Sequence, residues 1–136
     1  MRLNVWISFN SLQEGPFTGV SFPYVAKCPS TRKKVEFKAI TDVYDEIIRL
    51  SDAAESKGFN VGQSVYEQSF FFVDHAILVN NKMQNRIREF QFCKQFSCPP
   101  YPSLQETPYK VIEQFSVIEE EYNSCLAKKQ KEKTNA

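Results

Sequence analysis

The sequence predicts an α+β fold: a small antiparallel sheet, made of an N-terminal strand and a hairpin, packed on three helices of which the middle one is long. Three observations point there. Apolar and polar residues alternate with a period of two through much of the first forty residues. From Asp42 onward apolar residues recur at three- and four-residue steps, the spacing of a helix face. Glycine is scarce, four in 136 residues, which disfavours a barrel or sandwich full of tight turns. The chain reads as one domain over residues 1–127, with strands within 1–40, helices over 42–57, 64–97 and 108–127, and a charged flexible tail at 128–136.

The stretch LNVWISF at 3–9 places Leu3, Val5, Ile7 and Phe9 on one side of a strand. Gly15, Pro16, Gly19 and Pro23 mark a loop over 11–23. Tyr24, Ala26 and Cys28 alternate with Val25 and Lys27. After the Pro29-Ser30-Thr31-Arg32 turn, Val35, Phe37 and Ala39 point one way and Lys34, Glu36 and Lys38 the other. Thr41 or Asp42 caps the next helix, whose stripe is Val43, Ile47, Leu50 and Ala54 and whose end is marked by Gly58.

Ser64 and Glu67 form a capping box at the head of the long helix. Val73, Ile77, Asn80, Met83, Ile87 and Phe90 share its face. The Asn80-Asn81 pair is a place for a kink, and Phe70–Val73 has the β-propensity of a competing strand. Cys98-Pro99-Pro100-Tyr101-Pro102 ends that helix. Thr107 and Pro108 then open the last one, with Val111, Phe115, Ile118, Tyr122 and Leu126 as its stripe.

The formal net charge is +1, from 17 basic and 16 acidic residues. No whole-molecule field steers such a chain onto nucleic acid or an anionic membrane, so neither is expected as a partner. No apolar run has membrane-spanning length, and MRLNVWISFN lacks the apolar core of a signal peptide. The expected setting is the cytoplasm or a particle assembled there, with the four cysteines as free thiols.

Catalytic and metal patterns are weak. Cys93 and Cys98 are spaced C-x4-C without a second close pair, and a structural zinc site wants four ligands. A redox motif wants C-x-x-C at a helix start, which neither cysteine offers. The sole histidine, His75, has Asp74 as its sequence neighbour, but adjacent helical residues diverge. No enzyme activity, cofactor or metal is expected. Arg32, Lys33 and Lys34 could grip a phosphate, yet no glycine-rich cradle or helix start follows them. Their plainer role is the solvated face of a hairpin.

The aromatic run Phe70-Phe71-Phe72, extended by Leu78 and Val79, is wider than one buried helix stripe. It is read as a surface covered either by the chain's own layers or by a partner, with Phe71, Phe72 and Val79 on the partner side. Lys33 and Lys34 add a peripheral charge. Phe92 and Tyr101 extend the apolar surface.

The stretch Tyr24–Ser56 carries a resemblance. Pro29, Ser30, Lys33, Lys34, Val35, Phe37 and Lys38, followed by a helix ending in Glu55-Ser56, is similar to the N-terminal part of the T4-type phage baseplate hub and tail-assembly proteins. The resemblance implies a small structural or assembly protein of a phage tail or baseplate, acting through contacts with other protein subunits, in the virion or the host cytoplasm. It brings no catalytic residue and no cofactor. The alternative is a small cytoplasmic regulator or inhibitor that binds a host protein.

Overall fold

The computed structural model describes residues 1–11 and 15–134. These residues combine helix and strand: five α-helices and one two-stranded antiparallel sheet. In chain order the elements are α1 (Arg2–Asn10), β1 (Tyr24–Lys27), β2 (Lys34–Phe37), α2 (Ile40–Ser56), α3 (Val61–Ser69), a 3-10 turn (His75–Ile77), α4 (Asn81–Phe96) and α5 (Tyr109–Thr134). They group into two compact units. One comprises Met1–Phe9 with Asn80–Ala136, and the other is the continuous segment Asn10–Val79.

In the first unit the expected N-terminal strand is a helix. Leu3, Val5, Ile7 and Phe9 are alternate residues, but Leu3/Ile7 and Val5/Phe9 are also four apart, so the pattern serves either period. The residues between them decide. Asn4, Val5, Trp6 and Ile7 are consecutive and all buried, which a half-wet strand does not allow. Trp6 Nε1–H donates to Glu121 Oε2 at 2.9 Å, and Arg2 Nη1 donates to Glu121 Oε1 at 2.8 Å. Asn4 Oδ1 accepts from the Asn80 N–H at 2.9 Å and from Gln84 Nε2 at 3.1 Å. A nine-residue helix is marginal alone, so this packing holds it.

Val5, Ile87, Phe90 and Ile118 form the core of this unit, with Met1 and Phe115 against it. The Phe90 and Phe115 rings meet edge to face at 5.6 Å, and Arg86 Nε donates to Gln114 Oε1 at 2.9 Å. Helix α5 continues to Thr134, so residues 128–134 of the expected flexible tail are helical. Lys, Gln and Glu there are good helix formers, and Lys128 pairs with Glu132 at 3.8 Å, one turn on.

In the second unit the hairpin pairs Tyr24 with Phe37, Val25 with Glu36, Ala26 with Val35 and Lys27 with Lys34. Ala26 and Phe37 are buried; Val35, expected beside Phe37, is exposed. Helix α2 follows directly, with Asp42 Oδ2 accepting from the Lys38 N–H at 2.8 Å. It ends where Gly58, at φ 72°, lets the Phe59 N–H reach Ala54 O at 2.9 Å.

The long helix expected over 64–97 is three elements, so the chain has more than three helices. Asn60, not Ser64, caps α3: its Oδ1 accepts from the Gln63 N–H at 2.8 Å. Two further short acceptors restart the chain downstream. Asp74 Oδ1 takes the Ala76 N–H at 3.0 Å, and Asn80 Oδ1 takes the Met83 N–H at 3.1 Å. Each cap satisfies backbone donors that an unbroken helix would have bonded internally, so the break costs little.

Candidate interaction surface

After α3 ends, the three phenylalanines run through a turn. The Phe71 N–H bonds Gln68 O at 3.2 Å, and the Phe72 and Val73 N–H groups bond Ser69 O at 3.2 and 3.1 Å. The three rings diverge. Phe70 lies against His75, centroids 4.1 Å apart, and edge-on to Tyr66 at 5.2 Å. Phe72 is fully buried and stacks on Phe37 at 5.6 Å, which stacks on Tyr24 at 5.3 Å. Tyr24 Oη–H donates to Phe72 O at 2.6 Å. Burial, with the nearby Asp74 charge, pushes the Tyr24 phenol up to about 12, so it remains a donor. Phe71 alone of the three turns outward, 65% exposed.

Beneath this turn lies His75, buried and the only histidine. Ser69 Oγ–H donates to Tyr66 O at 2.7 Å, which uses the single hydroxyl proton. His75 Nε2, also bonded to Ser69 Oγ, must therefore be the donor of that bond. Nδ1 is left as an acceptor with no partner among the described residues. Burial holds the His75 pKa below the usual histidine value, with Asp74 opposing in part, so the ring is neutral. The arrangement locks the turn. Asp74, the sequence neighbour of His75, caps the 3-10 turn.

At the hairpin turn three N–H groups are engaged within the turn: Arg32 N–H to Cys28 O at 2.7 Å, Cys28 N–H to Lys33 O at 2.9 Å and Lys33 N–H to Thr31 Oγ1 at 3.4 Å. The anion that the turn does hold belongs to the protein. Glu46, fully buried on α2, accepts from Ser30 Oγ at 2.5 Å, from the Ser30 N–H at 3.2 Å, from Arg49 Nε at 3.1 Å and from the Cys28 thiol. Burial pushes this carboxyl up, but the four donors outweigh it and hold the pKa below the usual glutamate value.

Lys33 and Lys34 lie on the exposed side of the hairpin. Lys34 faces Lys27 directly across the strands, a like-charge pair that costs stability.

All five residues assigned to a partner surface belong to the second unit. The structure leaves Phe71, Lys33 and Lys34 exposed and Val79 half-buried. Phe72 is a correction: its ring fills the core between hairpin and turn, and it is not available to a partner. The long-helix reading spread the phenylalanines around one cylinder, whereas the turn sends each ring its own way.

In the first unit, Phe92 and Phe96 form an exposed pair on α4, centroids 4.7 Å apart. Their four-residue spacing was a legible signal. Glu46 had none, since an acidic residue on a helix reads as solvated.

Among the described residues no helix is long and apolar enough to cross a membrane. Comparison of the chain with models of known protein families, with characterised proteins and with solved structures finds no match.

Proposed function

We propose that this chain is a structural or assembly protein of a phage tail or baseplate, acting through contacts with other protein subunits in the virion or the host cytoplasm. The observation that carries the contact reading is Phe71, 65% exposed between the half-buried Phe70 and the fully buried Phe72. A phenylalanine held outward on a locked turn loses little freedom on docking, and aromatic anchors of this kind dominate protein interfaces. The Lys27/Lys34 pair supports a charged rim: the fold bears its repulsion, and both side chains are exposed where an acidic neighbour would relieve it. The phage setting rests on the resemblance over Tyr24–Ser56.

The test is affinity capture of the tagged chain from phage-producing cells, with mass spectrometry of what is retained. The reading expects tail or baseplate subunits with the wild-type chain, and their loss with Phe71→Ser while circular dichroism is unchanged. Capture of no such subunit, or equal capture by Phe71→Ser, overturns it.

A further inference from the structure

Helix α4 ends in a Schellman turn. Ser97 adopts the left-handed conformation at φ 51° and ψ 43°, and the Cys98 N–H reaches back to Cys93 O at 3.0 Å. This six-to-one bond folds the second residue past the helix onto the side chain one turn inside it. That contact is usually between two apolar residues; here both are cysteines. The backbone bond brings the two residues together, and both border the same cleft.

Both are half-buried and line an open cleft of about 700 Å³, together with Arg88, Phe92 and Tyr101. The remaining two cysteines differ. Cys28 is buried and donates to Glu46, and Cys125 is buried, its thiol pushed up to about 12 by that burial and then by Glu121. Only the pair at the end of α4 combines a neighbouring thiol with an opening to solvent.

We propose that Cys93 and Cys98 form a dithiol site that reacts with disulfides of low-molecular-weight thiols and closes an intrachain disulfide across the end of α4. One thiol of the pair gives up its proton and attacks a sulfur of R–S–S–R. The S–S bond breaks, one R–S⁻ leaves with the electron pair and takes up a proton, and a mixed disulfide remains on the protein. The second thiol gives up its proton, attacks the protein-side sulfur and expels the other R–S⁻, which is protonated in turn. Two protein thiols are oxidised to one disulfide, and R–S–S–R is reduced to two R–SH. The cleft supplies access for the first attack, and the turn places the second thiol for the resolving one. Burial first, then Cys98 and Glu89, raise the Cys93 pKa. A thiol of raised pKa is a poor leaving group, which favours the closed disulfide once formed.

The test incubates the folded full-length chain with oxidised glutathione, blocks the remaining thiols with N-ethylmaleimide and maps the peptides by mass spectrometry. The expected product lacks two hydrogens, joins Cys93 to Cys98, leaves Cys28 and Cys125 as thiols and carries no glutathione. Cys98→Ser and Cys93→Ser should each stop at a stable mixed glutathione disulfide on the remaining cysteine. A second probe needs no variant: phenylarsine oxide condenses with two adjacent thiols, releasing water, and should bridge the same pair in the wild-type chain. Wild-type protein that retains glutathione on either cysteine, or that keeps both thiols free and forms no arsenic bridge, overturns the proposal.

Discussion

The Ser30 hydroxyl donates to Glu46 Oε1 at 2.5 Å, and this bond ties the tip of the hairpin to the middle of α2. With the Ser30 N–H, Arg49 Nε and the Cys28 thiol it surrounds the carboxylate with donors. Glu46→Ala would leave the buried Cys28 thiol without its acceptor and remove the bonds from the more exposed Ser30 and Arg49, at a cost of about 1–3 kcal/mol. Urea unfolding of the variant, followed by far-ultraviolet circular dichroism, should show that loss. Cys28→Ala, which removes one donor and leaves three, should cost less.

Acid should weaken the fold through two groups of the second unit. His75 has a lowered pKa in the folded protein, so the unfolded chain binds its proton first as pH falls. Its contribution is complete above the ordinary histidine value of about 6.5 and is lost as pH drops through that value toward the folded one. Glu46, also lowered, contributes fully above the ordinary glutamate value of about 4.3 and loses that contribution below it. Urea midpoints measured from pH 8 to pH 5 should therefore fall on the acid side. His75→Phe should flatten the portion near pH 6, because no other histidine is present.

The two neighbouring phenylalanines should respond oppositely to truncation. Phe72→Ala empties a fully buried site between Phe37 and the turn, at a cost of about 3–5 kcal/mol. Phe71→Ser alters an outward ring and should change stability by no more than about 0.5 kcal/mol. Equal losses in thermal or urea unfolding would contradict the assignment of core and surface at this turn.

Lys34→Glu should stabilise the hairpin. It exchanges a like-charge pair with Lys27 for an opposite one directly across the strands, worth about 0.5–1 kcal/mol. The gain should shrink in high salt, since both side chains are exposed.

Trp6 is the only tryptophan and lies buried against Glu121. Trp6→Phe removes a donor to that buried carboxylate and should cost about 1–3 kcal/mol in urea unfolding.

The hairpin was legible because its alternation, its Pro-Ser turn and the residues flanking it all agreed, and α2 because its stripe and Gly58 did. The first helix was not, because Leu3, Val5, Ile7 and Phe9 fit both periods and the partners of Asn4 and Trp6 lie more than seventy residues away. The break between α3 and α4 was half legible. The Asn80-Asn81 pair reads as a kink, whereas Asp74 lies inside an apolar run that continues the helical spacing and so does not read as a cap. The exposure of Phe71 follows from the turn at Phe70–Phe72, so it could not be separated from the burial of Phe72 until that turn was known. Glu46 was hidden for a related reason. Its partners Cys28 and Ser30 sit in another element, and a spacing of sixteen or eighteen residues has no local periodicity.

The contacts of Arg2 and Trp6 with Glu121 span 119 and 115 residues, whereas Asn10–Val79 forms a compact unit from one unbroken segment. On a translating ribosome these two kinds of closure complete at different moments. The inserted segment can pack as a compact unit once residue 79 has emerged from the exit tunnel. The stretch ahead of it can meet Asn80, Gln84 and Ile87 soon afterwards, but Arg2 and Trp6 find Glu121 only when synthesis has passed that residue. Closure of the first unit therefore lags that of the inserted segment by the time needed to make the residues from Asn80 to Glu121.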